Sequence, residues 1–172
     1  MELIFSKAEP ADAAALAELI NSAYRGESSR QGWTTEADLL DGRRTDPKSI
    51  GELIADHTGM ILLCKVRQEL LGSVHLQQTA EHVQIGMLAV KPAAQGLGIG
   101  KQLLAAAEAE AQSHWLAKRL LMAVITSRTE LIAFYERRGY QRTGIMQQFP
   151  VNPTLWTPKV EGLCLELMEK HI

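Results

Sequence analysis

Leu88-Ala-Val-Lys-Pro-Ala-Ala-Gln-Gly-Leu-Gly-Ile-Gly-Lys-Gln-Leu-Leu104 decides how this chain is built. An aliphatic run meets a proline, then a turn with glycine at every second position, then an alanine- and leucine-rich segment. That order reads as strand, turn, helix. Gly96, Gly98 and Gly100 carry no Cβ, so a ligand can come close to the main chain. The first N–H groups of such a helix have no intrahelical acceptor, and the helix dipole adds partial positive charge to them. A phosphate or pyrophosphate is the guest this turn suits.

Before this turn, Met60–Arg67, Leu70–Gln78 and Val83–Val90 read as three strands joined by short turns, an antiparallel meander. Further upstream, Leu3–Lys7 reads as a strand. A helix starts at Pro10 and Asp12, with Ala15, Leu16, Leu19, Ile20 and Ala23 on one face. Tyr24–Gly32 is a polar loop. Thr34–Leu40 reads as a short helix with a threonine N-cap, and Asp46-Pro47 opens another that ends near Asp56.

After the turn, the helix continues to about Leu116 and a strand covers Leu121–Thr126. A helix from Arg128 or Thr129 stops at Arg137-Arg138-Gly139, with a basic last turn and a glycine after it. Tyr140–Gln148 and Leu163–Glu169 make a final strand pair. Between them runs a long loop with Phe149, Pro150, Pro153, Trp156 and Pro158. The order β-α-α-β-β-β-α-β-α-β-β predicts an α/β domain around a mixed sheet, single over residues 1–172.

A net charge of −2 without a long basic block gives no reason to expect nucleic acid as a partner. Cys64 and Cys164 lie in apolar strand-like runs and read as reduced core residues. No His/Cys/Asp cluster has metal-ligand spacing, so no metal is expected, and no nucleophile-elbow motif is present. Met-Glu-Leu-Ile-Phe turns polar too soon for a signal peptide, and no apolar run nears the ~20 residues of a membrane span. A cytoplasmic location with no membrane partner is the expectation.

Spacing separates three glycine-rich motifs. A P-loop needs glycine, four residues, then Gly-Lys-Ser/Thr; here Gln95 stands at the first position and Gln102 at the last. A dinucleotide fingerprint starting at Gly96 needs glycine where Lys101 stands. The third pattern, Gln/Arg-x-x-Gly-x-Gly/Ala, is matched throughout by Gln95-Gly96-Leu97-Gly98-Ile99-Gly100.

With that match the chain resembles the GNAT superfamily of acetyl-CoA-dependent N-acetyltransferases. Ile85-Gly86-Met87-Leu88-Ala89-Val90 before Pro92 looks like the family's central strand. Leu131-Ile-Ala-Phe-Tyr-Glu-Arg-Arg-Gly-Tyr140 resembles its Ala-x-x-Phe-Tyr-x-x-x-Gly-Phe/Tyr helix end. The resemblance implies a GNAT fold: a mixed, mostly antiparallel sheet of about seven strands flanked by about four helices. It also implies acetyl-CoA as acetyl donor, with a small-molecule or peptide amine as acceptor, attacking directly in a ternary complex. The family is the only basis for expecting a homodimer.

The same resemblance implies roles. Backbone N–H groups from Gln95 through Gly96, Leu97, Gly98, Ile99 and Gly100 to Lys101 hold the pyrophosphate. The edge at Met87, Leu88, Ala89 and Val90 pairs with the pantetheine arm. The N–H of Leu88 polarises the thioester carbonyl. Tyr135 is the general acid, with Phe134 and Arg138 beside it on the cofactor side. Arg128 stands where many members have an asparagine that bonds the cofactor arm.

An alkylammonium must lose a proton before it attacks. Some members use a central-strand glutamate; Gln84 holds the corresponding position and is no base. His75, Glu81 and His82 are nearby, and a water chain serves as well. Tyr24, Trp33 and Phe149, with Trp156, are expected on the acceptor side, and Glu27, Glu36 and Asp38 could attract a cationic amine. A non-catalytic acyl-CoA-binding domain and a succinyl-transferring enzyme are the alternatives.

Overall fold

In the computed structural model, which describes residues 1–172, the chain forms β1 (Ile4–Lys7), α1 (Ala13–Tyr24), β2 (Leu40–Gly42), α2 (Pro47–Ala55), β3 (Gly59–Val66), β4 (Glu69–Gln78) and β5 (Val83–Val90). Then follow α3 (Ile99–Trp115), β6 (Arg119–Ile125), α4 (Thr129–Glu136), β7 (Gln141–Gln148), β8 (Trp156–Pro158) and β9 (Cys164–His171). Seven strands build one sheet in the order β1-β3-β4-β5-β6-β9-β7. Every neighbouring pair in it is antiparallel except β5–β6. No helix is long and apolar enough to cross a membrane.

Local chemistry sets the helix starts. Pro10 opens a single 3-10 turn, in which the Glu9 N–H donates to Asp12 Oδ2 at 2.8 Å, and α1 continues from it. Asp46 caps α2 by accepting from the Ser49 N–H at 2.7 Å, with Pro47 at the first helical position, where a missing N–H does no harm.

The sheet buries both faces. On one, Leu16, Ala17, Ile20, Ala23 and Tyr24 of α1 pack with Ile50 of α2 on Ile61, Leu63 and Ala89. Ala17, rather than the expected Ala15, completes this stripe; Ala15 is exposed. On the other, Ile99, Leu103, Leu104, Ala107 and Ala111 of α3 pack with Phe134 and Tyr135 of α4 on Leu62, Val74, Leu76, Val83 and Ile85. Cys64 is buried in this second layer. Cys164, expected in the core, is only half-buried because it sits at the end of β9, near the sheet edge.

Two features of β5 open a site. First, β5 and β6 pair only at Val83–Leu120 and Gln84–Leu121, so the strands part beyond them and leave a gap in the middle of the sheet. Second, the β4 register jumps: Ser73 lies opposite Ala89 and His75 opposite Gly86. One residue on β4 therefore faces two, Met87 and Leu88, on β5, which is a β-bulge. Met87 adopts φ 48°, a left-handed conformation that costs a side-chain-bearing residue about 1–2 kcal/mol. The extra residue shifts the alternation, so Val83, Ile85, Leu88 and Val90 face α3 while Met87 and Ala89 face α1.

The expected helix at Thr34–Leu40 does not form. The segment is a series of turns held by tertiary bonds, with the Glu36 N–H donating to the Tyr24 carbonyl at 2.8 Å and Thr35 Oγ1 bonded to Ser29 Oγ at 2.6 Å. Its end, Leu40–Gly42, becomes β2 and pairs with β8, a strand inside the stretch expected to be loop. This two-stranded ribbon ties the loop after α1 to the loop before β9. Tyr24 is the last residue of α1 rather than the first of a loop.

Candidate active site

The glycine turn is a row of bare amides. No N–H from Gly96 to Lys101 donates to a carbonyl of the chain; the first bond is Gln102 N–H to Gly98 O at 3.2 Å. Gly96 (φ 84°) and Gly98 (φ 80°) are left-handed, and a Cβ built on either would meet nothing within 4 Å. The requirement for glycine is therefore conformational, and the space in front of these amides is open. Gly98→Ala is expected to destabilise the fold by about 1–2 kcal/mol through left-handed strain. It should also weaken, about tenfold, the binding of inorganic pyrophosphate to these amides by disturbing a charge-assisted hydrogen bond. Thermal melting and calorimetry would read the two effects separately.

Gln95 does not belong to this row. Its N–H donates to Pro92 O at 3.3 Å. Its side-chain oxygen accepts from the N–H groups of Trp33 and Thr34, at 2.8 and 3.3 Å, and its amide nitrogen donates to Thr34 Oγ1 and Val90 O, at 2.8 and 2.9 Å. Gln95 stitches the loop after α1 to the end of β5.

A cavity of about 330 Å³ lies over the amides, lined by Lys101, Arg137 and Arg138 and by no acidic residue. The Arg138 guanidinium stacks 3.7 Å above the Phe134 ring and donates from Nη1 to Phe134 O at 2.6 Å, while its Nε is buried without a partner. Bare amides, three cations and an orphan donor are the donor set a pyrophosphate needs. Arg137 was not anticipated; its only signal was the basic last turn, which reads equally well as dipole compensation. Trp33, expected on the acceptor side, lines this cavity instead, 5.7 Å from Phe134, because Gln95 pulls its backbone toward the glycine turn. Among the other residues expected here, Leu88, Val90 and Ile99 line the cavity, and Phe134 forms its wall. Ala89 faces the α1 layer instead, because the bulge has turned it over.

A second cavity, of about 410 Å³, fills the gap between β5 and β6. Leu88, Leu131 and Tyr135 line both cavities, so the two meet there. On the β6 side Met87 and Leu88 have no partner, and on β4 the two share one residue, Val74. The Tyr24 hydroxyl donates to the Leu88 carbonyl and pins the bulge to α1. Burial first, and then the charge of Glu36, push the Tyr24 phenol up to about 12. Burial, with the nearby Tyr24 second, pushes the Tyr135 phenol well above its ordinary range. Both stay protonated at any working pH.

The second cavity carries four charged side chains: Arg25, Glu36, Arg44 and Arg128. Glu36 Oε1 accepts from Arg25 Nε and Nη2, at 3.3 and 3.1 Å, and its Oε2 lies 3.2 Å from Arg128 Nη1. Arg128, expected on the cofactor arm, is thus held on the other side of Tyr135 by this carboxylate. Arg44 has no ion pair; it lies over the Trp156 ring, 5.9 Å from the centroid. Phe149 meets Trp156 edge to face at 6.4 Å, and both line the cavity with Tyr24 and Gln84.

The other expected carboxylates lie elsewhere. Glu27 and Asp38 are exposed and bound to Arg30. His75 lies outside the second cavity, in a neighbouring depression with Arg44, Glu52 and Gln77. Its Nε2 is buried without a partner, and burial lowers its pKa. The bulge explains its position: His75 faces Gly86, before the strand turns toward Leu88. No three His, Cys, Asp or Glu side chains converge.

Residues 14–140 match the acetyltransferase (GNAT) family. The chain is 30% identical over 128 residues to the mycothiol acetyltransferase of Salinispora tropica, covering 72% of this chain and 39% of that protein. This chain therefore spans well under half the length of that relative. Among solved structures, the ribosomal-protein-S18-alanine N-acetyltransferase from Escherichia coli superposes with a TM-score of 0.71 at 16% identity, over 99% of this chain and 94% of that one. YncA from Salmonella typhimurium, solved with its cofactor acetyl-CoA, gives 0.72 at 19% identity, over 98% and 93%. At these identities the two structures speak for the fold.

Proposed function

The chain belongs to the GNAT acetyltransferase family, and we propose that it moves the acetyl group of acetyl-CoA to a primary amine of a small molecule or peptide, by direct attack in a ternary complex. One observation carries the reading: the amide-lined cavity and the charged cavity open onto each other at Leu88 and Tyr135. A donor in the first and an acceptor in the second would meet at a backbone amide and a protonated phenol.

When bound, acetyl-CoA supplies a thioester carbonyl that is already activated toward amines. The amides from Gly96 to Lys101, with Lys101, Arg137 and Arg138, hold the pyrophosphate. The edge of β5 at Met87 and Leu88, which β6 leaves uncovered, receives the pantetheine arm as an added strand would be received. The Leu88 N–H stabilises negative charge on the carbonyl oxygen as the amine nitrogen bonds to carbon. As the C–S bond breaks, the Tyr135 hydroxyl gives its proton to the departing sulfur and takes one back from solvent, where the proton lost by the amine has gone. Of the cavity's acid–base groups, Tyr24 is bonded to Leu88 and Glu36 to two arginines, so water carries that proton.

Calorimetry with coenzyme A and a thiol-release assay over a panel of amines test this. Stoichiometric binding together with thiol release dependent on one amine class is the expected result. Absence of coenzyme A binding at millimolar concentration would sink the proposal. Binding without turnover of any amine would leave an acyl-CoA-binding domain instead.

A further inference from the structure

Within the acetyl-transfer reading, on which this rests, we propose that the acceptor amine also carries an anionic group, a carboxylate or a phosphate, and that Arg44 binds it. The acceptor cavity holds three guanidinium groups and one carboxylate. That carboxylate is spent: Glu36 is bonded to both Arg25 and Arg128, which are almost fully buried. A cationic acceptor, such as a polyamine, finds no free acid in this cavity and two uncompensated positive charges.

Arg44 is the guanidinium left over. It makes no ion pair, its guanidinium lies 5.9 Å from the centroid of the Trp156 ring, and its only hydrogen bond within the chain is through its backbone N–H, so the guanidinium N–H donors are free. Those donors form a fork that suits two oxygens of one acidic group. The loop that carries Arg44 is fixed in advance. Asn21 Oδ1 accepts from the N–H groups of Arg44 and Thr45, at 2.8 and 3.0 Å, and Asn21 Nδ2 donates to Thr45 O at 3.0 Å. Arg25 Nη1 donates to Arg43 O at 3.1 Å, and the Arg43 N–H donates to Leu155 O at 2.7 Å. The backbone that carries Arg44 is thus fixed on one wall of the cavity, whose lining also includes Tyr135, and a volume of about 410 Å³ suits a small amino acid or a phosphorylated amine.

The test pairs each acidic amine with its uncharged counterpart: phenylalanine with phenethylamine, and O-phosphoethanolamine with ethanolamine, with spermidine as a cationic arm and acetyl-CoA held saturating. The expected result is a kcat/KM at least about tenfold higher for the acidic member of one pair. The pair that responds tells carboxylate from phosphate. Arg44→Gln should raise KM for that amine about ten- to a hundredfold, change kcat little and erase the preference, and Arg44→Lys should restore part of it. A binding arm needs no turnover: saturation-transfer NMR in the presence of coenzyme A, comparing the N-acetylated forms of the same four amines. Equal signals within both pairs, or a preference for spermidine, overturn the anionic subsite and leave the acetyl-transfer reading intact. Absence of coenzyme A binding overturns both.

Discussion

Tyr135→Phe is expected to lower kcat by about ten- to a thousandfold and to leave acetyl-CoA affinity unchanged. Only the hydroxyl is lost. The ring is fixed by edge contacts with Phe134 at 5.3 Å and Tyr140 at 5.9 Å, and phenylalanine keeps both, so the fold should hold. The hydroxyl takes no part in the protein's own hydrogen bonds. It lies where the amide-lined and charged cavities meet, with its proton retained by burial. A phenol raised in this way does not ionise in the working range, so the wild-type rate should show no loss at alkaline pH from this group. The range is wide because a thiolate, with a conjugate acid near pKa 8.5, leaves moderately well without help. Steady-state kinetics with calorimetry on both proteins would decide it, and an unchanged kcat would remove Tyr135 from the acid role.

The sequence carried the fold well because its signals are local. Pro10 and Asp46-Pro47 mark helix starts, Gly139 marks a stop, and Val83–Val90 coincides with β5 to the residue. The amide-lined cavity was nearly as legible, since a left-handed glycine turn must be written in glycines. The charged cavity was not, because distant pairs build it. Glu36 and Arg128 lie 92 residues apart, and neither position announces the other. The bulge at Met87–Leu88 was invisible for another reason. A central strand that is apolar on both faces shows no break in alternation when one residue is added. That same bulge turned Ala89 to the α1 layer, and it separates His75 from the reacting position. Thr34–Leu40 has helix-compatible residues, but its capping hydroxyl, Thr34 Oγ1, is bonded to Gln95 Nε2 and Ala23 O, and the Glu36 N–H it would cap donates to Tyr24 O.

Glu36→Ala is expected to be the most destabilising change in the charged cavity, by about 3–5 kcal/mol. The side chains of Arg25 and Arg128 are 3% and 9% exposed, so water cannot replace the carboxylate when it goes. Two buried guanidinium groups would then face Arg44 with no negative charge among them. Desolvation already lowers the Arg25 pKa, and Glu36 is the largest influence opposing that shift. At about 2–4 °C per kcal/mol for a chain of this size, the melting temperature should fall by roughly 6–20 °C. Glu27 offers the contrast. It pairs with Arg30 at 3.0 Å, but its side chain is 86% exposed, so Glu27→Ala should change stability by less than about 1 kcal/mol. Urea or thermal melts of the two variants beside wild type make the comparison. A loss for Glu36→Ala no larger than for Glu27→Ala would mean that the cavity is solvated in solution and that the arginines do not depend on Glu36. The expected large loss would instead make Glu36 the strut of the cavity: it keeps Arg25 and Arg128 in place and leaves Arg44 without an ion pair.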